Sequence, residues 1–272
     1  MTASFGGPVS ASTKLGSAGY GFIVRLILDS TPDGMDPATD IAIAQAILRQ
    51  ASRGEIGETV RISRPLTPTV AFGRSDLRRP GFDEAVDVCR GAGFAPVVRG
   101  SGGRAAAYTE ASLVIDHISP DPSPNALMRQ RFIDHGTLIA GVLGGLGVDA
   151  RVGEVPGEYC PGEFSVNGRG RVKLVGTAQR VVRNAWLFSA VVVFGGGPEL
   201  RGLLPLVHEH LDLPFEAHSV GSVVEEVPSL EISDVEAAFV DLHTRSAGVE
   251  RASLDAATLD QAAALLPEHT VA

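Results

Sequence analysis

The chain has 272 residues, 44% of them hydrophobic, enough for a sizeable core in one large domain or two small ones, which argues against global disorder. A formal net charge of −9 argues against nucleic acid as the main partner, because that needs a basic footprint. Two cysteines make no disulfide framework and suit a reducing, cytoplasmic compartment, and the longest apolar stretches, residues 187–194 among them, fall well short of a membrane span. Residues 1–19 read as a flexible leader without the apolar h-region of a secretory signal.

Residues 20–29 are apolar and β-rich and predict a strand. Asp36-Pro37 then opens a helix through residue 51. Residues 58–63 and 69–73 read as strands on either side of Arg64-Pro65-Leu66-Thr67-Pro68, where two prolines force a turn or an extended link. Residues 82–93 form a helix that ends at Gly91-Ala92-Gly93 and carries Cys89 as a buried residue. Strands follow at 95–99, 105–108 and 112–117, then a long helix over 125–146. Residues 150–162 form a Gly/Pro-rich loop, and 163–166 pairs with 172–182 across a turn at 167–171. After a strand at 186–194 the chain is mostly helical, at 199–206, 234–247 and 256–266, with linkers at 195–198 and 214–231. This pattern predicts an α+β (mixed α/β) class, with a mixed, largely antiparallel sheet and flanking helices. The expected division is leader 1–19, main domain 20–198 and a helical C-terminal region 199–272 packed on it.

Lysine is scarce: of 23 basic residues only Lys14 and Lys173 are lysines. Where a positive charge suffices this chain uses arginine, so a lysine in the apolar run Val172-Lys173-Leu174-Val175-Gly176 suggests a job for a compact, rotatable ammonium. Cys160 lies thirteen residues earlier, in Glu158-Tyr159-Cys160-Pro161-Gly162-Glu163. One thiol and one amine close in sequence form a candidate reactive pair. The alternative is an ordinary strand lysine and a small buried apolar cysteine. Arg99, Arg104, Arg169, Arg171, Arg180 and Arg183 cluster near the pair in sequence, and as a group would attract an acidic protein partner.

A glycine loop, Arg99-Gly100-Ser101-Gly102-Gly103-Arg104-Ala105, links two strands. Adjacent glycines let a ligand approach the backbone, whose exposed N–H groups bind a carboxylate, carbonyl or phosphate. A tight turn explains Gly-Gly equally well. The loop is neither a P-loop nor a dinucleotide fingerprint, because no Gly-Lys-Ser/Thr and no helix follow it. No Cys/His grouping has metal-ligand spacing, so no metal site is expected.

Arg99-x-Ser101-Gly102-Gly103-x-Ala105, followed by Lys173-x-x-Gly176-x-Ala178-Gln179-Arg180, resembles the biotin/lipoate protein ligase superfamily, and within it the lipoate ligase and octanoyltransferase branch. Thr69-Val70-Ala71-Phe72-Gly73-Arg74 resembles that branch's preceding strand and turn, and the resemblance covers residues 20–195. It implies the lipoate ligase-like fold and a tunnel for an eight-carbon acyl chain beside the glycine loop, with Gly73, Arg99, Ser101, Gly102, Gly103, Arg104, Ala105, Gly176 and Ala178 as acyl-site residues. ATP-dependent ligases of the branch carry a third glycine where Arg104 stands, and an Asn-Asp pair near Phe164-Ser165. By contrast, residues 159–166 resemble the segment bearing the nucleophilic cysteine of Gram-positive octanoyl or lipoyl amidotransferases.

That resemblance implies an octanoyl or lipoyl group carried on a Cys160 thioester. The donor would be the glycine-cleavage H protein, and the acceptors lipoyl domains of oxoacid dehydrogenase E2 subunits, with no cofactor. Lys173 would lower the thiol's pKa and hydrogen-bond the acyl oxygen. A valine at Gly102 or Gly103 would intrude on the acyl site. His117 might be brought near, but no histidine is assigned a catalytic role. Two alternatives stay open: a ligase that uses ATP and Mg2+, with Cys160 incidental, and a non-catalytic relative that binds the lipoyl group.

Overall fold

The computed structural model describes residues 23–28, 35–245 and 248–271. The leader, and the outer parts of the strand expected at 20–29, lie outside the described residues. The strands are β1 (Val24–Ile27), β2 (Thr59–Ser63), β3 (Thr69–Phe72), β4 (Ala95–Val98), β5 (Ala106–Tyr108), β6 (Ser112–Pro120), β7 (Ala150–Val152), β8 (Val166–Gly168), β9 (Val172–Val182), β10 (Ala185–Val193) and β11 (Val249–Ala252). The helices are α1 (Thr39–Ser52), α2 (Phe82–Gly91), α3 (Met128–Gly145), α4 (Gly197–His210), α5 (Val223–Glu226), α6 (Ile232–Thr244) and α7 (Ala256–Leu265).

An eight-stranded sheet runs in the order β11-β1-β2-β6-β10-β9-β8-β7. Its β11–β1 and β1–β2 pairs are parallel and the others antiparallel, as the sequence pattern predicts. A three-stranded sheet, β4-β3-β5, stands beside it.

Strand alternation divides the large sheet into two working faces. Leu113, Ile115, Trp186, Phe188 and Ala190 point to one face and pack with Ile139 and Leu143 of α3 and Phe239 of α6. Val114, Asp116, Leu187, Ser189 and Val191 point to the other, toward α1 and the small sheet. A third cluster joins the small sheet to α2 and α4 through Phe72, Ala85, Leu200 and Leu204.

Several boundaries differ from expectation for local reasons. The first helix starts at Thr39 rather than Asp36, because the Asp36 carboxylate accepts the Ala38 N–H at 2.8 Å and forms an Asx turn. The hairpin strand begins at Val166, not residue 163. Its turn places Arg169 (φ 56°) and Gly170 (φ 72°) in the left-handed region, as a type I′ turn requires. Helix α4 runs through Pro205 to His210 because Leu200, Leu203, Leu204 and Val207 share its buried face.

Two strands were not expected. β7 lies in the segment read as a loop and pairs with β8. β11 lies in the C-terminal region expected to be helical and extends the large sheet beside β1. The 214–231 segment holds α5 and a short 3-10 turn at Ala217–Ser219, and Val220 bridges to Lys173. α6 is fixed by a reciprocal capping box between Glu231 and Asp234.

Phe239 is 1% exposed, where α6 meets the large sheet. Phe239→Ala should therefore cost about 3–5 kcal/mol, the usual range for an aromatic truncated in a core. Urea unfolding should show it as a lower midpoint at constant slope.

Candidate active site

The Gly/Pro-rich segment after β7 is organised from inside by one buried carboxylate. Glu158 is 0% exposed, and its Oε1 accepts from the Gly162 N–H at 2.9 Å and the Ser165 hydroxyl at 2.8 Å. These bonds curl residues 158–165 into a compact loop, which is why residues 163–165 do not join the expected strand. At the crest of the loop Cys160 has φ 46°, a left-handed conformation that L-residues rarely adopt.

Lys173, near the start of β9, braces that crest. Its Nζ donates to the carbonyls of Tyr159 and Cys160, each at 3.0 Å, and lies 3.6 Å from Glu158 Oε1. It also sits 4.7 Å from the centroid of the Tyr159 ring. A compact ammonium serves three partners from a single atom, whereas a guanidinium spreads its donors over a wider planar fork. Burial pushes the Lys173 pKa down, and Arg99 adds to this, while Glu158 and Cys160 act against it; the net direction is downward.

The thiol itself faces the glycine loop. Cys160 Sγ lies 3.3 Å from Arg99 Nη2 and 3.2 Å from the Arg104 backbone N–H. Burial alone would raise its pKa. The charges of Arg99 and Lys173, with the hydrogen bonds from Arg99 and Arg104, outweigh burial and hold the thiol below its usual range. Arg99 exceeds Lys173 among these influences, so the expected single activating lysine becomes a pair of cations with arginine first. Cys89 behaves oppositely: it is fully buried in α2, and its pKa is pushed up to about 12.

The glycines divide by role. Gly103 has φ 100°, and a Cβ there would lie 2.6 Å from Cys160 Sγ. Gly73 is required because any Cβ would strike the Gly103 carbonyl. Gly102 differs, since a Cβ would meet no protein atom within 4 Å. The expectation that a side chain at either loop glycine intrudes therefore keeps its steric basis at Gly103 and loses it at Gly102.

Cys160, Lys173, Arg99, Ser101, Gly176 and Ala178 line one cavity between α1, the small sheet and the large sheet. Gly102, Gly103, Arg104, Gly73 and Ala105 are not among its lining residues. Gly103 and Arg104 instead support the thiol, and Ala105 is buried in the core beneath the loop.

Four residues with clear places in the site were not singled out from sequence. Glu158 and Tyr159 were read only as neighbours of Cys160, although an acid beside a candidate thiol was a usable signal. Asp116, in Leu113-Val114-Ile115-Asp116-His117, is an acid within an apolar strand and lines the cavity, as does Asp40 of α1.

His117 points to the opposite face of the sheet. Its Nδ1 lies 2.9 Å from His135 Nε2 and its Nε2 lies 2.7 Å from Glu58 Oε1, away from the thiol. Of the arginines grouped by sequence, Arg99 and the Arg104 backbone reach Cys160, whereas Arg169 pairs with Glu226. Among the described residues no group of three or more His, Cys, Asp or Glu is placed to hold a metal. No helix among them is long and apolar enough to cross a membrane.

Removing the Arg99 charge should move Cys160 ionisation to higher pH. Arg99→Gln should shift the alkylation-rate profile with iodoacetamide upward along the pH axis. Gly103→Ala should slow alkylation at neutral pH severalfold by displacing Sγ from its donors, whereas Gly102→Ala should leave the rate near wild type.

The fold matches solved lipoate ligases. A lipoate-protein ligase A bound with ATP superposes with a TM-score of 0.72 at 19% identity, over 91% of this chain and 95% of the other. A T. acidophilum lipoate protein ligase structure with bound lipoic acid gives 0.70 at 19% identity, over 91% and 96%. Among curated relatives, the octanoyl-[GcvH]:protein N-octanoyltransferase of Geobacillus kaustophilus is 32% identical over 62% of this chain and 59% of its own length. The enzyme of that name from Anoxybacillus flavithermus is 29% identical over 67% and 66%. A lipoyl-[GcvH]:protein N-lipoyltransferase from Listeria monocytogenes is 27% identical over 41% and 40%. The chain thus matches less than two thirds of each of these relatives. The model of the lipoyl protein ligase A/B catalytic domain matches residues 36–241, most of the chain, which therefore belongs to that family.

Proposed function

We propose that this chain is an acyltransferase that moves an octanoyl group between lipoyl-domain proteins through a thioester on Cys160. The observation that carries this reading is the thiol's setting, with Arg99, Lys173 and the Arg104 N–H converging on a cysteine that opens onto an enclosed cavity. The names of the relatives support the donor, GcvH, and the octanoyl group. A cysteine that was only structural would not need two cations beside it.

In the first half-reaction the Cys160 thiolate attacks the acyl carbonyl carbon of an octanoyl-lysine amide. The C–S bond forms, the C–N bond breaks, and the donor lysine leaves as an amine that takes a proton from solvent. The negative charge gathering on the acyl oxygen is met by the donors beside Sγ, the Arg104 N–H and the Arg99 guanidinium, with the Lys173 charge behind the loop. In the second half-reaction the acceptor lysine amine attacks the thioester, the C–S bond breaks, and the amine returns a proton to solvent. Thioester and amide exchange on the protein, so the transfer needs neither ATP nor Mg2+, and we place it in the cytoplasm. The acceptors are E2 lipoyl domains. The alternative is the ATP- and Mg2+-dependent ligase, in which Lys173 binds an acyl-adenylate; the fold alone is compatible with it.

Incubation with octanoyl-GcvH and no ATP should add the mass of one octanoyl group to the wild-type chain. Cys160→Ser should abolish both adduct and transfer, and Cys89→Ser should preserve them. Full-rate, ATP-driven ligation in Cys160→Ser with no wild-type adduct would overturn the transferase reading. Lys173→Arg should lose most transfer, because a larger planar fork does not fit the buried point where one ammonium meets both loop carbonyls and Glu158; near-wild-type turnover would count against the assigned role.

A further inference from the structure

The acyl cavity contains a buried acid that the transfer chemistry does not use. Asp116 is 3% exposed and lines the cavity together with Ile41, Val114, Ala178, Leu187 and Val191. Sheet register fixes its position relative to the thiol. Gly176 lies opposite Val191, and Ala178 lies opposite Ser189, which in turn lies opposite Asp116. Gly176 is next to Lys173, a Cβ on it falling 3.6 Å from Lys173 Cε. The Ala178–Ser189–Asp116 row is one pleat repeat further along, about 7 Å, and runs across the sheet, so Asp116 on β6 lies two strand spacings, about 10 Å, to the side of Ala178 on β9. An extended chain advances about 1.2 Å per bond, so an eight-carbon group anchored at Cys160 is long enough to reach the Ala178 end of that row, in the same cavity that Asp116 lines.

Asp116 is not alone among charged groups there. Asp116 lies opposite Arg61 on β2, and Arg61 donates through Nη2 to the Asp40 carboxylate on α1. Arg61 is thus shared between the buried Asp116 and the half-buried Asp40. Among the described residues the other groups facing Asp116 are the Ser189 hydroxyl on β10, which hydrogen-bonds it, and the Tyr108 phenol on β5. Lys173 and Cys160 line the same cavity at its reactive end. A carboxylate against methylenes loses its remaining hydration with nothing in return, whereas a neutral carboxyl loses far less.

We propose that Asp116 sets acyl binding by taking up a proton when an alkyl chain enters the cavity. The inference rests on the acyltransferase reading and specifies how its acyl site is governed. Burial already pushes the Asp116 pKa up to about 6, with Asp40 adding to this and Ser189 and Arg61 opposing it. Filling the cavity with hydrocarbon removes water and raises it further. The sign follows: below pH 6 the carboxyl is already neutral and binding is tightest. Above pH 6 each binding event must import a proton. The dissociation constant therefore rises, by up to about tenfold per pH unit, until the pKa of the filled site is passed.

The probe is octanamide, which has no titratable group, and the measurement is calorimetry on the full chain in buffers of different ionisation heat. Wild type should take up a proton on binding above pH 6, and its dissociation constant should rise with pH. Cys160→Ser should keep both effects, which separates Asp116 from the thiol. Asp116→Asn should bind octanamide with no uptake and no pH dependence. The proposal is overturned if wild type binds without uptake, if it does not bind, if uptake vanishes in Cys160→Ser, or if it persists in Asp116→Asn. Should Asp116→Asn fail to fold, wild type and Cys160→Ser decide the matter alone. A thioester adduct without proton uptake sinks this inference and spares the transferase; uptake without an adduct does the reverse.

Discussion

The site is organised around the Lys173 ammonium and the backbone it holds. Two carbonyls, those of Tyr159 and Cys160, turn inward to the same Nζ, and Glu158 stands behind it at 3.6 Å. Without that brace a cysteine at φ 46° has no reason to stay in a left-handed conformation, and burying its carbonyl unpaired would carry a desolvation penalty. Lys173 is anchored in turn by β9, which lies between β8 and β10 in the large sheet. The rigidity of the sheet thereby passes to a loop that has little regular structure of its own. The proposed nucleophile, a cysteine on a loop positioned by a rigid scaffold, fits the general division of labour in enzymes.

The electrostatics of the pocket depend on the same brace. Arg99 and Lys173 bring two positive charges into a confined space, and Glu158 supplies one negative charge. A thiolate at Cys160 adds a counter-charge directly beside Arg99, and Asp76 supplies another. The lowered Cys160 pKa and the presence of Arg99 are therefore two views of one constraint. Gly103 belongs to it too, because only a residue without a Cβ lets Sγ reach both the guanidinium and the Arg104 N–H.

The strands of both sheets were largely legible in the sequence, because β-branched runs bounded by glycine and proline report directly on pairing. Two strands, β7 and β11, were not. β7 and β11 span three and four residues, too few to show a period, and each exists only because a neighbouring edge needed a partner. Cys160 and Lys173 stood out through rarity and motif, but what joins them did not. The Arg99 contact crosses 61 positions of sequence, and composition carries no trace of which cation lies nearer the thiol. Glu158 was hidden for a related reason: an acid in a Gly/Pro-rich loop looks solvated until its partners, Gly162 and Ser165, are seen to fold over it.

Strand alternation carries the argument one step further. Asp116 and His117 are adjacent on β6, yet Asp116 opens into the cavity beside Cys160 and His117 into a buried network with Glu58 and His135. Bringing His117 to the thiol would require a register slip of one residue, which would drive Leu113 and Ile115 out of the core. The fold thus denies this cysteine the histidine base that hydrolases use, and fixed cations take over the task of ionising it. That substitution has a kinetic consequence for the proposed transfer. A cation-stabilised thiolate is a somewhat weaker nucleophile but a better leaving group. It favours the second half-reaction, in which the acceptor amine must expel Cys160 from the thioester. An arrangement of this kind suits exchange of one acyl group between two amines, where neither direction is driven by ATP and the thiol must both form and release the bond with ease.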